Sequence, residues 1–292
     1  MTTAFNCKLM LLKCCIASIV LMQLGCERVA SIKETATNFA ADLIPTNAIE
    51  ALDQQSWNQM KLGLKTVEGP EIKAALGFLV APLIEAAVSK GTPAFEWDFH
   101  VVKSEDLNAF ALPGGTIAVN SGLLQFSESG LEVIGILAHE VAHVAAKHGV
   151  KSMMLQTGVS AATSMIVGAF LGDFSGISDW AITGIAKLGL LKYSRDNERE
   201  ADTLGAELLQ KAGYPISGLT SFFVELDKQK NQKQLSGALV QKSLSLFSTH
   251  PMSTERAQIL EKLALQQSTK TLNPEQIQKY NTLRKLVLQS IK

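Results

Sequence analysis

Residues 139–143 read His-Glu-Val-Ala-His. An α-helix turns about 100° per residue, so His139 and His143 lie about 40° apart on one face, one turn above the other. That spacing suits two imidazoles binding one Zn²⁺, with Glu140 beside the metal to handle a water proton. A catalytic zinc takes three protein ligands and leaves one position open, so a third ligand must come from elsewhere. Residues 193–202 read Tyr-Ser-Arg-Asp-Asn-Glu-Arg-Glu-Ala-Asp. Glu198 and Asp202 are four apart and share a helical face. Glu198 can bind the metal while Asp202 accepts the second ring N–H of a zinc histidine and fixes its tautomer. The chemistry open to such a set is hydrolysis. Zinc lowers the pKa of its water to about 7. Glu140 takes the water proton during attack on a carbonyl and passes it to the leaving amine. A nearby donor would steady the oxyanion, and His250, Arg256 and Tyr193 are all candidates. His148 is expected not to ligate, and His100 to be a sheet-face residue.

Helices and strands must position these groups. Ala48 to Leu64 has helical spacing, and Glu71 to Lys90 predicts a second, more apolar helix stopped by Gly91 and Pro93. The alternation of Phe95 to Val102 predicts a strand. Pro113-Gly114-Gly115 marks a turn, and Thr116 to Asn120 a further strand. Together these predict a small antiparallel sheet. Ser129 or Gly130 starts a helix expected to run to about His148, apolar almost all round and therefore buried. Ser152 to Gly172 holds no charge over 21 residues, and residues 176–191 are again apolar. Their Gln, Ser, Thr and Gly residues favour an apolar helical hairpin, packed on the domain or lying at a membrane surface, over a true span. Helices are expected at Asp196 to Ala212, at about 216–231 and 253–268, and from Pro274 to the C-terminus.

The 292 residues are 47% hydrophobic and 18% charged, with a formal net charge of +0. That suits a globular chain with a sizeable core and gives nucleic acid no basic face to bind. All four cysteines (Cys7, Cys14, Cys15, Cys26) lie in the first 26 residues, where Lys8 and Lys13 precede an apolar run from Ile16 to Met22. This is the layout of a secretory signal over residues 1–25. Leu24-Gly25-Cys26 resembles the lipobox of bacterial lipoproteins, with Gln23 where an aliphatic residue is usual. The resemblance implies cleavage before Cys26 and its lipidation. Glu27 leans towards the outer membrane. A plain signal peptide with an incidental cysteine is the alternative.

His-Glu-x-x-His followed by Ser-Arg-x-x-Glu-x-x-Ala-Asp resembles the gluzincin-type metallopeptidases of the HtpX/CAAX-prenyl-protease family, in its soluble periplasmic LoiP/BepA-like branch. Asn108-Ala-Phe-Ala-Leu-Pro-Gly-Gly-Thr-Ile-Ala-Val, His148-Gly149, and Thr249-His250-Pro251 with Arg256 match further family segments. The resemblance covers about residues 95–265. It implies a zincin-like fold of α+β class, predominantly α-helical, with the small sheet beside a central zinc-binding helix. Residues 26–94 would be packing helices, 95–265 the metallopeptidase domain, and 266–292 its last helix. It further implies one zinc on His139, His143 and Glu198, Glu140 as general base and acid, and Asp202 as support. Thr116, Ile117, Ala118, Val119 and Asn120 would form the edge on which an extended polypeptide pairs by β-augmentation. His250 could occupy the open zinc position and hold the enzyme off, or be a surface histidine beside a turn. The implied activity is an exported, lipid-anchored zinc endopeptidase acting on misfolded or unassembled envelope proteins. The alternatives are an assembly factor for outer-membrane proteins that cleaves little, and an inert lipoprotein with a chance motif.

Overall fold

A computed structural model describes residues 35, 37–127, 129–157, 193–222, 250, 254–265 and 271–291. The signal-like segment with Cys26, the apolar stretch beyond Thr157 and the helix expected past residue 222 lie outside these residues. Among the described residues no helix is long and apolar enough to cross a membrane.

Two helices lead into the domain, α1 (Thr46–Met60) and α2 (Pro70–Val88). Proline suits the first position of α2, because the N–H it lacks has no partner within the helix there. Strands β1 (Asp98–Val102), β2 (Ala109–Ala111) and β3 (Thr116–Asn120) follow. Next come the short α3 (Ser121–Phe126) and the long α4 (Gly130–Ala145), which carries the His-Glu-Val-Ala-His run. α5 (His148–Thr157), α6 (Arg195–Lys211), α7 (Thr254–Leu265) and α8 (Pro274–Ser290) complete the order.

The sheet corrects two expectations. It is mixed rather than antiparallel: the order is β1-β3-β2, with β1 parallel and β2 antiparallel to β3. The Pro113–Gly115 turn folds β2 and β3 into a hairpin, and β3 then slots between β2 and β1. Thr116, Ile117, Ala118, Val119 and Asn120 therefore form the central strand, not an edge. All five are buried, and their backbone groups pair with β1 on one side and β2 on the other. Among the described residues β2 is the edge strand that packs against α4.

The hairpin turn is pinned from α1. Buried Asp53 accepts hydrogen bonds from the backbone N–H groups of Gly114 (2.7 Å) and Thr116 (3.3 Å) and from the Thr116 hydroxyl. Burial pushes the Asp53 carboxyl up, and these bonds oppose that. Gly115, at φ 104°, takes a backbone conformation that side-chain-bearing residues rarely adopt.

α4 runs through the centre, packed by α6, α2, α8 and β2. Its apolar girdle joins Ile134, Leu137 and Val141 to Leu76, Leu79 and Leu83 of α2 and Leu208 of α6 in one core. The helix starts where Ser129 Oγ accepts from Leu131 N. It ends at Ala145, three residues short of the expected His148. Lys147 adopts a left-handed conformation (φ 56°), and a separate helix, α5, begins at His148. α6 lies close against α4 because Gly205 faces the backbone of Ala138, where an added Cβ would sit 3.3 Å from the carbonyl oxygen.

Candidate metal centre

α4 contributes His139, Glu140 and His143, which are 7%, 2% and 2% exposed. α6 contributes Glu198 and Asp202 from its first two turns, after Ser194 Oγ caps the helix on Asn197 N. The four-residue spacing in each helix turns both pairs inward, and the close α4–α6 packing brings them into contact. Arg256 of α7 and His250, just ahead of it, close the site and are also buried.

One ligand atom each from His139, His143, Glu198 and His250 lies within 4.8 Å of the others. The Nε2 atoms of His139 and His143 are 3.0 Å apart. His250 Nδ1 is 3.3 Å from His139 Nε2 and 3.1 Å from Glu198 Oε1. Glu198 oxygens are 3.4 Å and 3.6 Å from His139 and His143 Nε2. Donors set tetrahedrally about zinc at about 2.0–2.1 Å lie roughly 3.3 Å from one another. The separations match, and imidazole with carboxylate is a donor set that zinc takes. Among the described residues Glu140 Oε1 is buried without a hydrogen bond, 3.4 Å from His250 Nε2. A buried oxygen left over beside converging donors suits a site built for more than protein atoms.

Charge is arranged to hold the donors. His139 Nδ1 donates to Asp202 Oδ1 at 3.1 Å, which leaves Nε2 facing the centre. Arg256 grips Asp202 through Nε (2.6 Å) and Nη2 (2.7 Å), and Nη1 lies 2.8 Å from Glu198 Oε2. Burial opposes charge on His139, but Asp202 and Glu198 overcome it and raise its pKa to about 10 in the metal-free protein. Burial likewise opposes ionisation of Glu198, and His139 and His250 override it, holding the carboxylate well below its usual range. His143 is driven the other way, down, by burial and by His139. Glu140 is raised, chiefly by burial, with His250 and His139 opposing; it also shares a hydrogen bond with the backbone of Ala111 in β2. Tyr193 stacks on His143, ring centroids 4.0 Å apart and planes at 24°.

Every residue expected near the centre by its motif is there: Glu140, His139, His143, Glu198, Asp202, His250, Arg256 and Tyr193. His100 lies away from it, stacked on Trp57 and facing Asp98. His148 makes a closer contact than the sequence led us to expect. It is no part of the four-donor group, yet its Nδ1 lies 2.9 Å from His143 Nδ1 and its Nε2 lies 3.2 Å from Glu200 Oε2. On one straight helix His148 would stand about 140° round from His143. The break at Lys147 brings it back, and a lysine in a left-handed conformation leaves no signal in a sequence pattern.

A central helix bearing two histidines, met by a carboxylate from a second helix beside a small sheet, defines a zincin-like metallopeptidase domain. The model of the family described as Peptidase family M48 matches residues 76–264. The chain belongs to this family, whose metalloproteases use zinc. It is 26% identical over 236 residues to the beta-barrel assembly-enhancing protease of Yersinia pestis, covering 74% of this chain and 46% of that protein. It is 37% identical over 169 residues to metalloprotease YcaL of Escherichia coli strain K12, covering 58% and 61%. It is 32% identical over 163 residues to metalloprotease LoiP of the same strain, covering 55% and 60%. The chain thus spans about half the length of the curated relatives it matches.

Proposed function

We propose that this chain is an exported zinc metalloendopeptidase that hydrolyses peptide bonds in misfolded or unassembled cell-envelope proteins. The observation that carries the reading is the convergence of four buried donors with Glu140 beside them. His139, His143 and Glu198 would hold the metal. Bound there, zinc supplies Lewis acidity and a water with a pKa near 7. Glu140, raised by burial, accepts the proton of the attacking water and returns it to the leaving amine. Asp202, clamped by Arg256, keeps the His139 ring in one tautomer and plane. Arg256 is committed to two carboxylates, so Tyr193 and His250 are the better candidates to steady an oxyanion. β2 replaces β3 as the strand offered to an extended substrate: among the described residues Ala109–Ala111 is the edge strand that packs against α4. Backbone pairing there would give broad sequence tolerance, as clearance of unfolded proteins requires.

The envelope substrate class rests on the printed names of the relatives, one of them a beta-barrel assembly-enhancing protease. Export and a lipid anchor rest on the residue pattern before and at Cys26, and its outer-membrane placement on Glu27. Mass spectrometry of the mature N-terminus tests the latter, and an unmodified Cys26 would remove the anchor. The enzymatic reading is tested with purified protein and an unfolded outer-membrane protein as substrate. Cleavage should stop on chelation and return with zinc; cleavage indifferent to chelation would sink it.

His250 favours a second reading. Its Nδ1 stands at the fourth corner of the donor set and its Nε2 faces Glu140. With that corner filled, the protein could bind extended chains and assist assembly while cutting little. Complementation by the Glu140→Gln protein separates the two: rescue favours binding, failure favours hydrolysis.

A further inference from the structure

His139 and His143 are supported in different ways. His139 leans on a carboxylate, Asp202, as metal-binding histidines commonly do. Among the described residues His143 has no carboxylate on its far nitrogen; it has a second imidazole. We propose that His148 and Glu200 form a positioning pair that holds the His143 ring for the metal. The proposal rests on the zinc site described above.

The hydrogen-bond directions follow from which atoms face inward. His143 Nε2 points at the other donors, 3.0 Å from His139 Nε2. To offer a lone pair there, its proton must sit on Nδ1. Nδ1 then donates to His148 Nδ1 at 2.9 Å. His148 thereby carries its own proton on Nε2, which donates to Glu200 Oε2 at 3.2 Å. The relay has one consistent direction, from the centre to the carboxylate. Tyr193, stacked on His143, fixes the plane of the same ring from its face.

The construction is costly, which speaks against accident. His148 is fully buried, and a buried imidazole needs partners for both nitrogens. Reaching His143 requires Lys147 to adopt φ 56°, a conformation unfavourable for a residue with a Cβ. Glu200 sits on α6 between Glu198 and Asp202, on the outer side of the helix. One helix therefore supplies a candidate ligand, the support for His139 and the far end of the support for His143.

The test measures the zinc dissociation constant of metal-stripped full-length protein by competition with a chromophoric chelator. Wild type should bind one zinc and His139→Ala should lose it; if it does not, the zinc site itself is wrong and the pair falls with it. With that control in hand, His148→Ala should weaken zinc binding about 10- to 100-fold. Glu200→Ala should weaken it several-fold, and, because the Glu200 side chain is exposed, it leaves folding intact. His148→Gln should recover most of the affinity, since its amide can accept from His143 and donate to Glu200. A purely structural role for His148 would not reproduce the Glu200 effect or the glutamine rescue. Wild-type affinity in Glu200→Ala overturns the proposal, as does His148→Gln binding no better than His148→Ala.

Discussion

Glu140 is the residue on which hydrolysis and binding part company. It is 2% exposed and is not in the four-donor group. Glu140→Gln should retain zinc and the folded state while kcat falls about 10²- to 10⁴-fold. A zinc-loaded Glu140→Gln protein with wild-type turnover would exclude it as the base. His250 makes the opposite prediction. His250→Ala opens the fourth corner and should raise the initial rate of cleavage of an unfolded substrate; a lower rate would make His250 a contributor rather than a gate. Arg256 acts through charge. Its removal leaves Asp202 and Glu198 buried without the guanidinium that grips both, so Arg256→Ala should destabilise by about 3–5 kcal/mol, read from the denaturant midpoint.

Between helices, the decisive joint is the break that separates α4 from α5. Lys147 pays for it with a left-handed backbone, and its ammonium donates to exposed Asp42 at 3.0 Å and to the Ala41 carbonyl at 3.4 Å. An ion pair whose carboxylate is solvent-exposed contributes little. Lys147→Gly should therefore raise stability by up to about 1 kcal/mol, while Lys147→Val should lower it, measured by chemical denaturation. A glycine variant less stable than wild type would mean that the Lys147 side chain matters more than its backbone. At the sheet, the hairpin explains why β3 is central. A five-residue strand with every residue buried reads the same, in sequence, at the edge or in the middle. Only its neighbours distinguish the two.

Across the whole molecule, zinc would tie α4, α6 and the His250 segment together. The metal-free protein keeps His139 protonated up to about pH 10, against an ordinary value of 6.5. A raised histidine pKa contributes stability that is complete below about pH 6.5 and is lost as pH rises through 10. The melting temperature of the stripped protein should therefore decline from this group across that window. The zinc-loaded protein, whose His139 is already unprotonated, should not show that decline, and it should melt higher at every pH in the window. Parallel pH profiles with and without zinc would show that His139 is not a ligand.

The sequence alone picked out the candidate chemistry-bearing set. Helical periodicity puts His139 beside His143 and Glu198 beside Asp202, because side chains four apart meet whatever the helix packs against. The long helices and the turn at Pro113–Gly115 were also readable from local pattern. Contacts between segments far apart in the chain were not. The mixed sheet, the central place of β3, the seating of His250 at the fourth corner, and the turn that carries His148 back to His143 depend on which elements lie side by side. Packing settles that, and local sequence pattern does not record it.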